Sequence, residues 1–313
     1  MDYGNKLKAR QATPSLAPKN ASKDMKPLVF LTIDLEDYQS IVRRNLGLSP
    51  VSAGNEVERG IDALLECVEQ VHPGGKLTFF TTGQLAEKRP LLVKRLAEAG
   101  HEIACHSHEH RDLSVLSRAE LRLDLERATE TLERATGRKV LGFRAPSFHV
   151  PADRYWLFEL LLERGYRYDS SIVSAVPRSV ACVFDRISLS GGELLELPVF
   201  RYDVLPKIRI RSFGGTYFRA LPGSFGERIL SYAEANGYPP CLWLHSSDVY
   251  RQPTYGAAEA IRVSAGAAAF WPLAMLRDGI GRKGALRKLR QLLSNVRLAG
   301  TVGDSVVAYA VNS

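Results

Sequence analysis

The chain has 313 residues, 45% hydrophobic and 24% charged, a balance typical of folded globular proteins rather than disordered ones. Its formal net charge is +8, with much of the excess in the first 26 residues and in 282–297. No recognition-helix, zinc-finger or aromatic RNA-binding motif accompanies this charge, so nucleic acid is not expected as a partner. The four cysteines form no C-x-x-C pair, which excludes a zinc knuckle and gives no sign of a disulfide framework.

Residues 1–26 are predicted to form a disordered basic leader. They are polar, rich in Ala, Pro, Ser and Lys, and lack the apolar and cleavage regions of a secretory signal. We therefore expect a cytoplasmic protein, whose basic charge favours peripheral association with the inner face of a membrane. The sequence does not define the oligomeric state.

From residue 27, short β-rich apolar runs alternate with amphipathic helical patterns. Strands are predicted at 28–33, 77–81, 102–104, 141–144, 166–169, 194–200 and 241–245. Helices are predicted at 57–71, 84–99, 117–136, 152–164 and 224–236. Beyond these elements the pattern weakens, and we expect a basic helix near 283–294 and a final strand at 305–311.

The repeated strand and helix pattern predicts a parallel α/β architecture closed, or nearly closed, into a barrel. An open doubly wound sheet is the competing fold. The predicted domain covers 27–252, and a C-terminal extension, 253–313, packs on the barrel. Most of the chemically informative side chains fall at strand C-terminal ends, which meet on one face of a barrel.

A histidine cluster on this face indicates a metal site. His106, His108 and His110 fall within five residues. His106 and His110 could bind one ion from a helical turn or a tight loop, whereas an extended segment would place all three on one side. Zn²⁺ is the default ion for two imidazoles and a carboxylate, and the histidine pattern alone leaves the third ligand open.

An acidic run ends the first strand, at Asp34, Glu36 and Asp37. Adjacent carboxylates repel one another unless a cation or an arginine neutralises them. Metal-assisted hydrolysis would use one as a ligand and another as a general base. A solvated acidic loop or a helix N-cap is the alternative interpretation.

In combination, these motifs resemble the polysaccharide deacetylase family, the NodB-homology group of carbohydrate esterase family 4. The matching segments, in family order, are 32–37 (TIDLED), 106–110 (HSHEH), 144–147 (RAPS), 169–171 (DSS) and 244–245 (LH). The resemblance extends from residue 28 to about residue 250. It is close to the branch found in bacterial exopolysaccharide loci, which also carries a Gly-Gly-x-x-x-Arg segment, here 214–219.

The resemblance implies a distorted (β/α)7-type barrel and a metal-dependent N-deacetylase. Asp34 would be the general base, and Arg144 would pair with it and keep it ionised. His106, His110 and a carboxylate would hold Zn²⁺ or, in vitro, Co²⁺ or Ni²⁺.

The resemblance also implies the remaining roles. His245 would be the general acid, oriented and kept cationic by Asp169. The metal and a backbone N–H near Ser147 or Phe148 would stabilise the tetrahedral oxyanion. The other expected substrate contacts are Trp243, Tyr217 and Arg219.

One departure from the family pattern affects the metal carboxylate. The commonest family form has two adjacent aspartates, whereas Leu35 follows Asp34 here. The strand pleat places Glu36 on the face of Asp34, but a turn after Ile33 would present Asp37 instead. Asp37 is slightly favoured, and Glu36 is the alternative.

Other departures concern the groove, because Ala145 and Ser147 replace a proline and an aromatic, and 246–248 (SSD) stands where a Pro-Trp-Glu run is frequent. The predicted function is removal of N-acetyl groups from a hexosamine-containing oligo- or polysaccharide, as an exopolysaccharide or envelope precursor. The alternatives are hydrolysis of another C–N amide bond, in a small cyclic amide or ureide, and non-catalytic glycan binding.

Overall fold

The computed structural model describes residues 26–45, 54–175, 184–205, 208–211, 213–235, 238–250 and 279–312. The predicted leader, except Lys26, and residues 253–278 of the predicted extension lie outside the described residues. Among the described helices, none has both the length and the apolar character needed to cross a bilayer.

Thirteen strands are present in the described part of the chain. They are β1 (Leu28–Leu35), β2 (Thr78–Thr81), β3 (Glu102–Cys105), β4 (Gly142–Phe143), β5 (Tyr168–Asp169), β6 (Val173–Ala175), β7 (Asp185–Leu189), β8 (Gly192–Glu196), β9 (Val199–Leu205), β10 (Ile208–Arg211), β11 (Phe213–Gly214), β12 (Cys241–His245) and β13 (Arg297–Leu298).

The main sheet has the order β11-β12-β1-β2-β3-β4-β5-β8-β7, with β13 beside β1. All of its pairs are parallel except β7 with β8. This order, together with the solved structures described below, confirms the predicted barrel, in the form of a curled sheet. A second sheet has the order β10-β9-β6.

Eleven α-helices accompany these strands in the described residues. They are α1 (Tyr38–Asn45), α2 (Glu56–Val71), α3 (Gly83–Lys88), α4 (Pro90–Glu98), α5 (Arg118–Thr136), α6 (Tyr155–Glu163), α7 (Gly215–Ala220), α8 (Gly223–Ala235), α9 (Ser246–Val249), α10 (Ala285–Leu293) and α11 (Val302–Asn312). The strand predicted at 305–311 was wrong, since this segment belongs to α11. Val302, Val306 and Tyr309 are its buried side chains, and their spacing is helical.

Strand β1 separates two apolar layers because its side chains alternate between the two faces of the sheet. Leu31, Ile33 and Leu35 belong to the large cluster that packs the helices against the sheet. Phe30 belongs to a second cluster on the opposite face. Asp34 follows Phe30 by four positions and therefore lies on this inner face.

The C-terminal helix α11 is attached to the inner face at the N-terminal ends of the strands. The partly buried carboxylate of Glu102 accepts hydrogen bonds from Thr78 Oγ1 (2.7 Å), Tyr168 OH (2.9 Å) and the Gly303 N–H (2.8 Å). Thr78 Oγ1 in turn accepts the Val302 N–H at 2.9 Å. The start of α11 thus closes the end of the barrel opposite the candidate site.

Candidate metal centre and active site

The strand ends bring together residues that are distant in sequence. Asp34 and His245 are direct neighbours in the register of β1 and β12. His106 follows β3, and Arg144 follows β4. Parallel strands with chemical groups at their C-terminal ends produce one shared site on this face.

Three side chains form a group that could hold a metal ion. One ligand atom each from Glu36, His106 and His110 lies within 4.8 Å of the other two. Glu36 Oε2 is 2.8 Å from His110 Nε2 and 3.6 Å from His106 Nε2. Although buried, Oε2 has no well-oriented hydrogen-bond partner in the described residues. A buried carboxylate oxygen facing two imidazole nitrogens fits a divalent cation such as Zn²⁺.

The tautomer of His106 is suited to this role. Its Nδ1 lies 2.7 Å from the Arg144 carbonyl oxygen, to which it donates. This hydrogen bond leaves Nε2 as the ligand atom and fixes the orientation of the ring.

The loop after His106 turns His110 back toward Glu36. Ser107 and His110 have left-handed φ values of 61° and 55°, and Ser107 Oγ accepts the His110 N–H at 3.0 Å. The His108 ring lies against Gly83 instead, since a Cβ added at Gly83 would be 2.2 Å from its Nδ1. The segment is therefore a tight loop, and His108 is outside the ligand group.

The protonation states within the group follow from burial and charge. Burial raises the pKa of Glu36, but the charges of His110, His245 and His106 and the contact with His110 outweigh it and bring this pKa to about 2. Burial, only partly opposed by the charge of Asp34, lowers the pKa of His106 to about 4. An ionised carboxylate and a neutral imidazole are the forms that ligate metals. Burial lowers the pKa of His110, but the charge of Glu36 and the contact with it raise this pKa overall, so metal binding would release a proton from His110.

The preference for Asp37 as the metal carboxylate was wrong. Strand β1 continues to Leu35, without a turn after Ile33, so the pleat places Glu36 on the site. Asp37 precedes α1 and accepts the Ser40 N–H at 3.1 Å. It is a helix N-cap, as the alternative interpretation of the acidic run proposed.

Asp34 and Arg144 form a buried ion pair beside the ligand group. Arg144 Nη1 lies 2.8 Å from Asp34 Oδ1 and donates also to Thr32 Oγ1 at 2.9 Å. Its Nη2 donates to Ser170 Oγ at 2.9 Å. The guanidinium lies over the Phe80 ring, with Cζ 3.9 Å from the ring centroid. These contacts hold Arg144, the predicted partner of Asp34, in place.

His245 is paired with Asp248 and not with Asp169, which corrects the sequence prediction. Asp248 Oδ2 accepts the His245 backbone N–H at 2.8 Å and lies 3.1 Å from Nδ1. Burial lowers the pKa of His245, but the Asp248 hydrogen bond and the charges of Glu36, Asp248 and Asp34 raise it to about 9. His245 is therefore cationic at neutral pH, and its Nε2 lies 3.7 Å from Glu36 Oε1. The signal in the sequence was the N-cap to N3 spacing of His245 and Asp248, which is typical of a capping box.

Asp169 lies in a separate buried acid pair. Its Oδ1 accepts Ser171 Oγ–H at 2.6 Å, and its side chain interacts with Glu196. Burial, followed by the charge of Asp169, raises the pKa of Glu196 well above its ordinary value. Burial likewise raises the pKa of Asp169. These raised pKa values predict that the two carboxyl groups hold a proton between them in the folded protein.

The predicted oxyanion turn has strained backbone. Ser147 and Phe148 have left-handed φ values of 54° and 59°. The Phe148 N–H donates to the Ala145 carbonyl at 3.0 Å, so this amide is already used. An oxyanion contact from Ser147 stays a prediction.

Trp243 forms a wall beside His245. Its ring contacts Phe148 and His245 edge to face, with centroid separations of 5.2 and 5.4 Å. A Cβ at Gly214 would lie 2.6 Å from this ring, which explains the glycine there. The Tyr38 ring, whose centroid is 6.2 Å from that of His245, is a neighbour that the sequence interpretation did not include.

Tyr217 and Arg219 were predicted to contact substrate. Tyr217 is 38% exposed, and its role stays a prediction. Arg219 is only 4% exposed, with Nε 2.7 Å from Asp248 Oδ1. The prediction for Arg219 was wrong, because this side chain is committed to an ion pair behind His245.

Comparisons with known proteins agree with this fold. Residues 63–158 match the family model described as polysaccharide deacetylase. The peptidoglycan deacetylase-like protein FGM2 of Gibberella zeae is 33% identical over 126 residues, which are 40% of this chain and 36% of that protein. The peptidoglycan deacetylase of Helicobacter pylori is 28% identical over 121 residues, 37% of this chain and 38% of that protein. The chain thus spans less than half the length of these relatives.

Solved structures share the fold over nearly the whole chain. A Mycobacterium smegmatis structure that carries the polysaccharide deacetylase name aligns with a TM-score of 0.61 and 19% identity, covering 97% of this chain and 96% of that chain. The Puue allantoinase structure aligns with a TM-score of 0.56 and 15% identity, covering 91% and 90%. The fold is therefore common to proteins named for different substrates.

Proposed function

We propose that this protein is a divalent-metal-dependent hydrolase that removes N-acetyl groups from a hexosamine-containing glycan. The observation that carries the proposal is the convergence of three groups on one barrel face. Glu36, His106 and His110 offer metal ligands, Asp34 offers a carboxylate held by an arginine, and His245 offers a cationic imidazole.

Zn²⁺, or Co²⁺ or Ni²⁺ in vitro, would be held by Glu36, His106 and His110, where it would act as a Lewis acid on the acetamide carbonyl and increase the acidity of water. Asp34 is the proposed general base, which accepts a proton from the attacking water. Arg144 keeps this carboxylate oriented through the 2.8 Å contact.

His245 is the proposed general acid. Its Nδ1 is directed to Asp248, which leaves Nε2 to deliver a proton to the leaving amine. The leaving nitrogen must be protonated when the C–N bond breaks. A cationic imidazole beside the ligand group supplies the proton that this step requires.

The proposed substrate class rests on the relatives and on the shape of the site. The relatives are named a peptidoglycan deacetylase-like protein and a peptidoglycan deacetylase. A cavity of about 430 Å³ adjoins His110, and its lining includes Arg44, Gln84 and Lys88. Such donors suit the hydroxyl groups of a sugar or an acidic substituent. An exopolysaccharide or envelope precursor, processed at the inner face of the membrane, is our proposed substrate.

The test is acetate release from a panel of N-acetylhexosamine oligosaccharides by protein stripped of metal and then supplied with Zn²⁺ or Co²⁺. We expect activity only after metal is restored, and an Asp34→Asn variant that binds metal but is slower by about 10²- to 10⁴-fold. Stoichiometric metal binding without acetate release would refute deacetylation and favour another amide, such as a cyclic ureide. Absence of metal binding would refute the mechanism.

A further inference from the structure

Arg219 connects the C-terminal segment of the chain to the candidate active site. Its Nε donates to Asp248 Oδ1 at 2.7 Å. Nη1 donates to the Ile280 carbonyl at 2.9 Å, and Nη2 to Thr216 Oγ1 at 3.3 Å. With 4% of the residue exposed, these contacts are shielded from solvent and from salt.

Asp248 uses its two oxygens for different partners. Oδ1 binds Arg219, while Oδ2 holds both the backbone N–H and Nδ1 of His245. The carboxylate cannot rotate without breaking one of these sets of contacts. The direction of His245 Nε2 therefore depends on Arg219 through Asp248.

The segment 280–288 also holds Arg219 in place, through contacts separate from those with Asp248. Lys288 Nζ donates to the carbonyl oxygens of Phe218 (2.9 Å) and Arg219 (2.8 Å), at the end of α7. Gly281 has a left-handed φ of 66°, and a Cβ there would lie 2.0 Å from the Arg219 carbonyl oxygen. A side chain would prevent this close approach, so the glycine permits the docking.

We propose that Arg219 is a positioning residue for the general acid, and that the segment from Ile280 to Lys288 is the anchor that fixes it. The C-terminal segment would thereby control proton delivery to the leaving amine. This inference rests on the proposed function, since it assumes that His245 protonates the leaving group.

The test compares two substrates that differ in their need for a general acid. An N-acetylhexosamine oligosaccharide releases an amine, which must be protonated, whereas 4-nitrophenyl acetate releases a weakly basic phenolate that leaves without a proton. We expect Arg219→Met to lower kcat on the oligosaccharide by about 10- to 100-fold, which is typical when a residue that orients an active-site side chain is removed. Its KM, its Zn²⁺ content and its rate on the ester should stay within about twofold of the parent protein, well inside that loss.

Three further variants complete the series. Lys288→Met should show a smaller loss of the same kind, and Arg287→Met is its matched control, because Arg287 is exposed on the same helix. Arg219→Lys should recover part of the oligosaccharide rate, since lysine keeps the charge but cannot reach three partners. Equal losses on both substrates, or loss of Zn²⁺, would overturn the inference in favour of a purely structural role. Unchanged oligosaccharide kcat in Arg219→Met would overturn it as well.

Failure of the proposed function can be recognised separately. If the parent protein binds Zn²⁺ and cleaves the ester but no N-acetylated glycan, then the proposed substrate is wrong. Crystal structures of Arg219→Met and Arg287→Met would then decide the positioning role. We expect the His245 ring to turn away from Glu36 only in Arg219→Met, and an unchanged ring would overturn the inference.

Discussion

Glu36 Oε2 and His110 Nε2 lie 2.8 Å apart, although Glu36 directly follows β1 and His110 ends the loop after β3. The neighbouring carboxylate, Asp37, accepts the Ser40 N–H instead. Two acids that are adjacent in sequence thus have separable roles, one toward a metal and one toward a helix.

We expect Glu36→Gln to lose stoichiometric Zn²⁺, because an amide is a much weaker ligand than a carboxylate. Asp37→Ala should retain Zn²⁺ but lower the free energy of unfolding by about 1 kcal/mol through loss of the N-cap. Metal analysis after dialysis and urea unfolding measure the two effects. Loss of Zn²⁺ in Asp37→Ala alone would contradict the assignment of Glu36.

Removing Arg144 should destabilise the protein strongly, because Asp34 would be left buried without its partner. For Arg144→Met we expect a loss of about 3 to 5 kcal/mol in the free energy of unfolding. The double variant with Asp34→Asn should recover part of it. Arg122→Met is the control, since its bridge to Glu163 at 3.0 Å is half-exposed and should contribute no more than about 1 kcal/mol. Similar losses in Arg144→Met and Arg122→Met, measured by urea unfolding, would argue against a strong contribution from the buried pair.

The Asp169 and Glu196 pair should make stability depend on pH. Burial and the charge of Asp169 raise the pKa of Glu196, so the folded protein keeps a proton that the unfolded chain releases above its ordinary pKa. The free energy of unfolding should therefore fall as pH rises from the unfolded pKa toward the folded one.

Glu196→Gln removes this proton uptake. The variant should reduce the slope of the free energy of unfolding against pH by up to about 1.4 kcal/mol per pH unit. Urea unfolding from about pH 5 to about pH 8 would measure the slope, within the range where such linkage operates. Glu66→Gln, at an exposed position, should leave the slope unchanged. An unaltered slope in Glu196→Gln would show that the pair does not share a proton in the folded state.

Gly214→Ala should disturb the wall beside His245. The added Cβ would lie 2.3 Å from the Trp243 carbonyl oxygen and 2.6 Å from its ring, which forces a local shift. We expect a loss of about 1 to 3 kcal/mol in stability, as for other overpacked sites, together with reduced turnover. Gly223→Ala is the matched control, because no atom lies within 4 Å of its added Cβ. Thermal unfolding and acetate release would measure both effects, and equal behaviour of the two variants would disprove the contact.

Local patterns in the sequence were sufficient to predict much of this molecule. The alternation of strands and helices predicted the barrel, and the positions of Asp34, His106, Arg144 and His245 at strand ends predicted one site. The period of two along β1 also pointed to Glu36, but the sequence interpretation slightly favoured a turn after Ile33, which would have presented Asp37.

The missed contacts depend on the docking of distant segments. Asp248 could have been recognised from its spacing to His245, because the capping box is a local pattern. The pairing of Arg219 with Asp248 could not have been recognised from the sequence, since it requires α7, α9 and the segment at Ile280 to meet. The same holds for Asp169 and Glu196, which pair only after β5 and β8 become neighbours.

The attachment of α11 at Glu102 has a practical consequence for anyone who alters the protein. Deleting α11 would remove the Gly303 N–H and the apolar cover from this partly buried carboxylate, so shortened versions should express poorly. The opposite end of this helix is open to solvent, with Val311 81% exposed. An affinity tag or fluorescent label joined after Asn312 should therefore be tolerated, at the end of the barrel away from the candidate site.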